Sequence, residues 1–231
     1  MITNRLKRYL YRAGGGSPAQ GQQGFTLIEC LVAIVMVGLV GSSIAPALVI
    51  SVATRVQSQK AEQALELAQS EIDRVRLLVE RSEANIANLP PEAPVSAGAN
   101  PDSRVAEVAG PTYGAPVPPP TPITAFQTRA ATLNGSQFAV QVYRTRGRFV
   151  GNVPVTFGMG VRVYDYDAVL TGSGTLSKEP AALRMVSGTG QRGQRPLVAL
   201  YTTVTVGETR DSYCQYIKHL DSTASVPTGC N

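Results

Sequence analysis

The chain has 231 residues, of which 43% are hydrophobic and only 6% aromatic, and its formal net charge is +5. This hydrophobic content excludes a disordered chain and suffices for one core, or for one small domain with an extension. Four of the positive charges lie in residues 1–24, a stretch without any acidic residue. The remaining 17 basic and 16 acidic residues nearly balance, so the overall charge is weak evidence for a nucleic-acid partner.

The charge of the rest of the chain is unevenly distributed. Residues 25–107 contain 6 basic and 10 acidic residues, whereas residues 108–207 contain 9 basic and 3 acidic residues. We interpret this first as a solvated surface with an excess of arginine. A surface that attracts an acidic partner is the alternative.

Residues 25–54 form a long apolar run whose only ionisable groups are Glu29 and the Cys30 thiol. Thirty helical residues span about 45 Å, more than the roughly 30 Å of bilayer hydrocarbon. The basic residues before the run predict a cytoplasmic N-terminus and an extracytoplasmic C-terminal region. A secretory signal peptide is disfavoured because its apolar region is shorter, about 7–15 residues, and ends in a small-residue cleavage site.

Glu29 is costly inside an apolar span, by about 2.5–3.5 kcal/mol on insertion scales. No lysine or arginine lies within reach along the same helix. One interpretation is a glutamate near the interface, neutral or with its carboxylate reaching water. The other requires a cation from a new N-terminus or from a different chain.

Residues 24–29 read Gly-Phe-Thr-Leu-Ile-Glu and are followed by an apolar stretch. This arrangement, behind a basic leader, resembles the prepilin cleavage motif of type IV pilins and type II secretion pseudopilins. The resemblance implies that a prepilin peptidase cuts between Gly24 and Phe25 and methylates the new amine of Phe25. It also implies that Glu29 pairs with the Phe25 amine of an adjacent subunit, and that Pro46 kinks the helix. The leader is longer than the shortest pilin leaders, which leaves the subfamily open.

The pattern predicts five successive regions. They are a cleaved leader (1–24), a transmembrane helix (25–54), an amphipathic helix packed on the head (55–86), a proline-rich linker (87–125) and a β-sheet head (126–231). The amphipathic helix is indicated by apolar residues at spacings of three and four, and we expect it to end before Pro90 and Pro91. Ten of the 16 prolines fall in residues 86–124, which indicates a spacer that lies over the head.

In the head the hydrophobic period changes to two, which is typical of β-strands. Asn134 and Gly135 predict a hairpin between strands at 128–133 and 136–144. Further strands are expected at 160–166 and 197–206. The predicted fold class is α+β: a long N-terminal helix packed on an antiparallel sheet of four or five strands, as in pilins.

Cys30 is interpreted as an apolar packing residue of the span. Cys214 and Cys230 enclose 15 residues near the C-terminus, and an extracytoplasmic location permits a disulfide. The resemblance implies this bridge, because pilin heads often close a C-terminal loop in the same way. The alternative is two free thiols.

The sequence indicates no enzyme and no cofactor. His219 is the only histidine, which excludes multi-histidine metal sites, and we expect it to be exposed. Asp165 and Asp167, two residues apart, are interpreted as a solvated strand edge; a cation site is the alternative.

Three arginines, two residues apart, lie around the end of one predicted strand: Arg144, Arg146 and Arg148. They define a possible patch for DNA, an acidic glycan or another anionic surface. The favoured alternative is a charged edge that discourages aggregation.

The predicted function is that of a minor pilin, a structural and assembly subunit of a type IV pilus-like filament. Its expected partners are prepilin peptidase, other pilin or pseudopilin subunits and an inner-membrane assembly platform. The expected location is the inner membrane, with one span, and then the filament. The alternatives are a pseudopilin of a protein or polysaccharide secretion apparatus, and a filament-borne module that binds DNA or an acidic glycan.

Overall fold

The computed structural model describes residues 24–81, 86–94, 104–151, 153–181, 193–206, 210–221, 223, 225 and 228–230. The basic leader before Gly24 and part of the proline-rich linker lie outside these residues. The chain divides into two compact units, Met1–Ser51 and Val52–Asn231. Helix α1 contributes residues to both units.

Helix α1 spans Leu27–Glu80 and contains Pro46. Every residue of 24–59 is exposed. In the second unit, α1 buries one side chain at each turn, on a stripe formed by Ala64, Ala68, Ile72, Val75 and Val79. Spacings of three and four place these side chains on one face of a helix. The helix ends ten residues before Pro90, and Ile86 lies in a turn.

The five-stranded sheet is antiparallel throughout, and its central strand is the longest. The strands are β1 (Arg129–Leu133), β2 (Ser136–Arg144), β3 (Arg148–Val150), β4 (Val153–Asp165) and β5 (Val198–Thr205). The order is β1–β2–β4–β5, and β3 continues β2 along the same edge of β4. The predicted antiparallel sheet is confirmed. Strand β4 begins seven residues before the predicted strand at 160, and Tyr166 lies in a helix instead of the strand.

The turn between β1 and β2 is the predicted Asn-Gly hairpin. Asn134 and Gly135 both have positive φ, 49° and 80°. Two consecutive positive φ values match the right-handed twist of the flanking strands, and this pair of residues tolerates them. The hairpin fixes the register at which Leu133 lies opposite Ser136.

One face of the sheet packs against the buried stripe of α1. Alternate residues of the two central strands form this face: Phe138, Val140 and Val142 from β2, and Phe157, Met159, Val161 and Val163 from β4. Val204 of β5 joins them. The prediction of a helix packed on the sheet is therefore confirmed, and the alternation of apolar residues is its physical reason.

The opposite face of the sheet is covered by chain from the proline-rich region and from the residues after β4. Two apolar clusters form there, one around Tyr143 and one around Tyr164. Gly160 has no side chain, which leaves room for the ring of Tyr143. The backbone of residues 91–93 pairs with Arg144. The region from 104 to 128 is thus packed on the sheet and contributes buried residues such as Val108 and Ala125.

Besides a single 3₁₀ turn at Val105–Glu107, two short α-helices complete the described part of the second unit, and the sequence pattern predicted neither of these α-helices. Helix α2 (Tyr166–Leu170) follows β4 directly, and the Asp165 side chain caps it by accepting a hydrogen bond from the Asp167 amide at 3.3 Å. Helix α3 (Arg210–Leu220) follows β5 and contacts β3 and β4. It carries Cys214, which is bonded to Cys230.

Candidate functional site

The candidate site is the N-terminal end of α1, where Gly24, Phe25 and Thr26 precede the helix without regular structure. The Thr26 hydroxyl accepts a hydrogen bond from the Glu29 amide at 3.3 Å. The Thr26 carbonyl accepts bonds from the amides of Glu29, at 3.0 Å, and Cys30, at 3.2 Å. Thr26 is therefore the N-cap of α1, and the Thr-Leu-Ile-Glu sequence has the spacing of a capping box.

The Gly24–Phe25 peptide bond lies immediately outside this cap and is accessible. Phe25 exposes 80% of its surface, and no atom lies within 4 Å of the position that a Cβ on Gly24 would occupy. Because the cap fixes where the helix begins, the predicted scissile bond stays outside the hydrogen-bonded helix. An accessible bond outside regular structure is suited to a protease.

Glu29 lies in the first turn of α1 and is exposed. A carboxylate in the first turn interacts favourably with the partial positive charge at the helix N-terminus. Within the described residues, no lysine or arginine forms an ion pair with it. Pairing of the Glu29 carboxylate with a cation from elsewhere stays a prediction.

The apolar stretch after Glu29 is exposed on all sides. By length and composition, α1 is the one helix among the described residues that could cross a membrane. A helix that is apolar around its full circumference has no water-facing side, which fits a membrane anchor. Pro46 lies within α1 and the helix continues on both sides of it, so the kink stays a prediction. Just before it, the hydroxyls of Ser42 and Ser43 donate to the carbonyls of Leu39 and Val40.

Comparison with known families identifies the same segment. Residues 20–45 match the family model described as the prokaryotic N-terminal methylation motif. This motif is the prepilin-type signature of type IV pilins and pseudopilins, and the predicted family resemblance is confirmed on these residues. Neither the curated proteins nor the solved structures contain a significant match to the chain.

The three arginines of the possible anionic-ligand patch do not share one exposed surface. Arg144 is only 2% exposed, and its guanidinium lies 3.4 Å from the Glu92 carboxylate. Burial lowers the pKa of Arg144, and the charge of Glu92 opposes that effect. Arg148 is half-buried and donates to the Lys218 carbonyl, so Arg146 is the exposed member. The patch stays a prediction, and the burial of Arg144 counts against it.

A buried polar centre around Arg162, on the covered face of the sheet, was not predicted from the sequence. Arg162 is 0% exposed and lies on the face of β4 opposite Val161 and Val163. It donates hydrogen bonds to five acceptors: the carbonyls of Ala106, Val108 and Ala109, the Gln141 side chain and the Tyr201 hydroxyl. It also lies over the rings of Tyr143 and Tyr201, at 5.1 and 5.5 Å from their centroids.

The tyrosines beside Arg162 are held in their neutral form. Burial raises the pKa of the Tyr143 and Tyr164 phenols, and the nearby Arg162 charge only partly offsets this effect. Each phenol donates a hydrogen bond to a carbonyl, Tyr143 to Val105 and Tyr164 to Ser177, both at 2.9 Å. The group around Arg162 thus has the hydrogen-bonding pattern of a structural anchor for residues 105–109.

The expectation of an exposed His219 was wrong: this residue is 2% exposed, because it lies on the face of α3 that packs on the sheet.

Asp165 and Asp167 do not lie along one strand, since Asp165 ends β4 and Asp167 belongs to α2. Asp165 forms a 2.8 Å ion pair with Lys60 of α1. Among the described residues, no cluster of three or more potential metal ligands is found.

Proposed function

We propose that the chain is a minor pilin: a structural subunit that is processed by prepilin peptidase and assembled into a type IV pilus-like filament. The observation that carries the proposal is the methylation motif at residues 20–45, which ends within an exposed apolar helix. In the same chain, the second half of that helix is built into an α+β head. This combination suits an anchor that is first held in a membrane and then packed against other helices.

In this proposal, cleavage between Gly24 and Phe25 removes the basic leader and leaves a methylated amine on Phe25. The capped start of α1 presents that amine and the Glu29 carboxylate close together at one end of an apolar helix. Pairing of Glu29 with the Phe25 amine of a neighbouring subunit neutralises both charges where burial of either one alone is costly. The pair would then set the axial position of one subunit relative to the next.

A pseudopilin of a secretion apparatus would use the same processing and the same charge pair, so it remains the alternative within this class. We favour the minor pilin because the head is elaborate. Besides the sheet, the head contains a packed proline-rich region, two short helices and a C-terminal disulfide. A role in binding DNA or an acidic glycan would depend on basic residues other than the buried Arg144.

Replacement of Glu29 tests the proposed assembly step. We expect Glu29→Ala to lower the amount of the chain in sheared filaments at least about tenfold, because one unpaired amine would be buried. Membrane insertion and removal of the leader should be unchanged. The readouts are immunoblots of the filament and membrane fractions.

Glu66→Ala is the matched control, since Glu66 is an exposed glutamate further along the same helix. This variant should assemble as the wild type does. Equal incorporation of the Glu29→Ala and wild-type chains would contradict the proposed role of Glu29.

A further inference from the structure

The first turn of α1 depends on Thr26 for its hydrogen bonds. The first four amides of a helix, here those of residues 27–30, have no acceptor within the helix. The Thr26 carbonyl accepts bonds from the amides of Glu29 and Cys30, and the Thr26 hydroxyl is a second acceptor for the Glu29 amide. Among the described residues, Thr26 supplies the one side-chain acceptor at this end of α1. The hydroxyl therefore helps to fix the residue at which α1 begins.

The leader sequence, outside the described residues, contains a second pattern of a helix start. Ser17 is the nearest residue before Thr26 whose side chain is of a preferred N-cap type. It is followed directly by Pro18 and, two residues later, by Gln20. Proline at the first helical position and glutamine at the third complete the sequence pattern of a capping box. The chain thus offers two alternative helix starts, one on each side of the Gly24–Phe25 bond.

The two starts differ in what they do to the predicted scissile bond. With the start at Thr26, the Gly24–Phe25 bond lies outside regular structure and both of its residues are exposed. A helix that began at Ser17 would contain this bond, and the Gly24 carbonyl would accept a hydrogen bond from the Ile28 amide. Proteases act preferentially on exposed chain outside regular structure. The position at which the helix begins therefore determines whether the bond can be cleaved.

Opposing physical effects act on the choice between these starts. Extension of the helix upstream would give acceptors to the first amides of α1, and amides without an acceptor are costly beside an apolar environment. Gly21 and Gly24 oppose this extension, because glycine is unfavourable inside a helix. The Thr26 hydroxyl acts in the same direction as the glycines, since it satisfies the Glu29 amide without any upstream helix. Loss of this hydroxyl should therefore shift the balance towards the upstream start.

We propose that Thr26 is a positioning residue for cleavage: its N-cap holds the start of α1 downstream of the scissile bond and so keeps that bond accessible to the peptidase. Hydrolysis adds water across the Gly24–Phe25 amide bond and leaves the Gly24 carboxylate and the Phe25 amine. Thr26 takes no part in this chemistry. The proposal rests on the processing step of the function proposed above, and it names a residue that controls the rate of that step.

Cleavage of the full-length precursor by prepilin peptidase in detergent tests the proposal. Thr26→Val keeps the branched shape of the side chain and removes the acceptor, so kcat/KM should fall about fivefold. Thr26→Ser is the matched control, because serine retains a capping hydroxyl, and it should be cleaved as fast as the wild type. Equal kcat/KM for Thr26→Val and the wild type would overturn the proposal.

A second substitution separates the effect of the helix start from a direct contact between Thr26 and the peptidase. Gln22→Gly adds a glycine to the upstream segment and disfavours a helix there. Combined with Thr26→Val, it should restore kcat/KM to nearly the wild-type value. If the double variant is cleaved as slowly as Thr26→Val alone, Thr26 acts through contact with the enzyme and the proposal is wrong. Failure of the peptidase to cleave the wild type would instead contradict the proposed function itself.

Discussion

Among single residues, Arg162 holds a full charge in a position without solvent access, and all five of its described hydrogen-bond acceptors are uncharged groups. Three of these acceptors are backbone carbonyls of residues 106–109, a stretch with little regular structure. Such carbonyls lose their hydrogen bonds to water on burial. One arginine can donate to several carbonyls at once and so replace these lost bonds. The Arg162 guanidinium thereby holds an irregular segment against the sheet.

We predict that Arg162→Met lowers the free energy of unfolding by about 3 kcal/mol, because it leaves several buried acceptors without donors. The measurement is urea unfolding of the full-length chain in detergent, followed by circular dichroism. Limited proteolysis should at the same time show faster cleavage within residues 104–128.

The control is Arg146→Met, which removes an exposed arginine near the same sheet and should change the free energy of unfolding by less than about 0.5 kcal/mol. Similar stability of the Arg162 and Arg146 variants would show that the hydrogen bonds of Arg162 do not hold the segment.

At the scale of elements, helix α3 packs on the sheet and its disulfide links Cys230 to it. Cys214 is buried in α3, and its Cα lies 5.6 Å from that of Cys230. Closing a loop of this length restricts the unfolded chain, which stabilises the folded state by roughly 3 kcal/mol in the chain-entropy model. The bridge also agrees with an oxidising, extracytoplasmic location.

We therefore predict that Cys230→Ser lowers the free energy of unfolding by about 3 kcal/mol under oxidising conditions. Reduction with dithiothreitol should bring the wild type to the level of the variant and leave the variant unchanged. Cys30→Ser serves as the control, because Cys30 is a free, exposed cysteine of the other compact unit. A wild type whose stability does not respond to reduction would contradict this account.

The elements that the sequence predicted correctly are those with a strong local signal. The Asn134–Gly135 turn requires positive φ at both positions, and few other residue pairs accept it. The stripe of α1 is visible because its five buried side chains recur every three or four residues. The family resemblance was likewise predicted from one short, specific motif that begins at Gly24.

The features that were missed depend on contacts distant in sequence. The sequence predicted a proline-rich spacer over the head, but only the folded chain shows that residues 104–128 cover the sheet face on which Arg162 is buried. Helix α3 has a short, mostly polar sequence, and His219 is buried by packing against strands about 60 residues earlier. Such burial leaves no periodic pattern that a reading of the chain could detect.

At the scale of the whole molecule, the chain combines an N-terminal processing motif and an exposed apolar helix in one compact unit with an α+β head in the other. The apolar helix is costly in water, since side chains such as Leu27 and Val37 expose more than 70% of their surface. A membrane before assembly and neighbouring helices after assembly would both cover this surface. In the proposed function, processing at the motif would precede transfer of this helix from the membrane to the filament.

The most direct test of this account is the N-terminus of the mature protein, determined by intact mass and N-terminal sequencing with and without prepilin peptidase. The account predicts a chain that begins at Phe25, carries one added methyl group and is formed only in the presence of the peptidase. A chain that still begins at Met1, or one cut after Ser51, would contradict it.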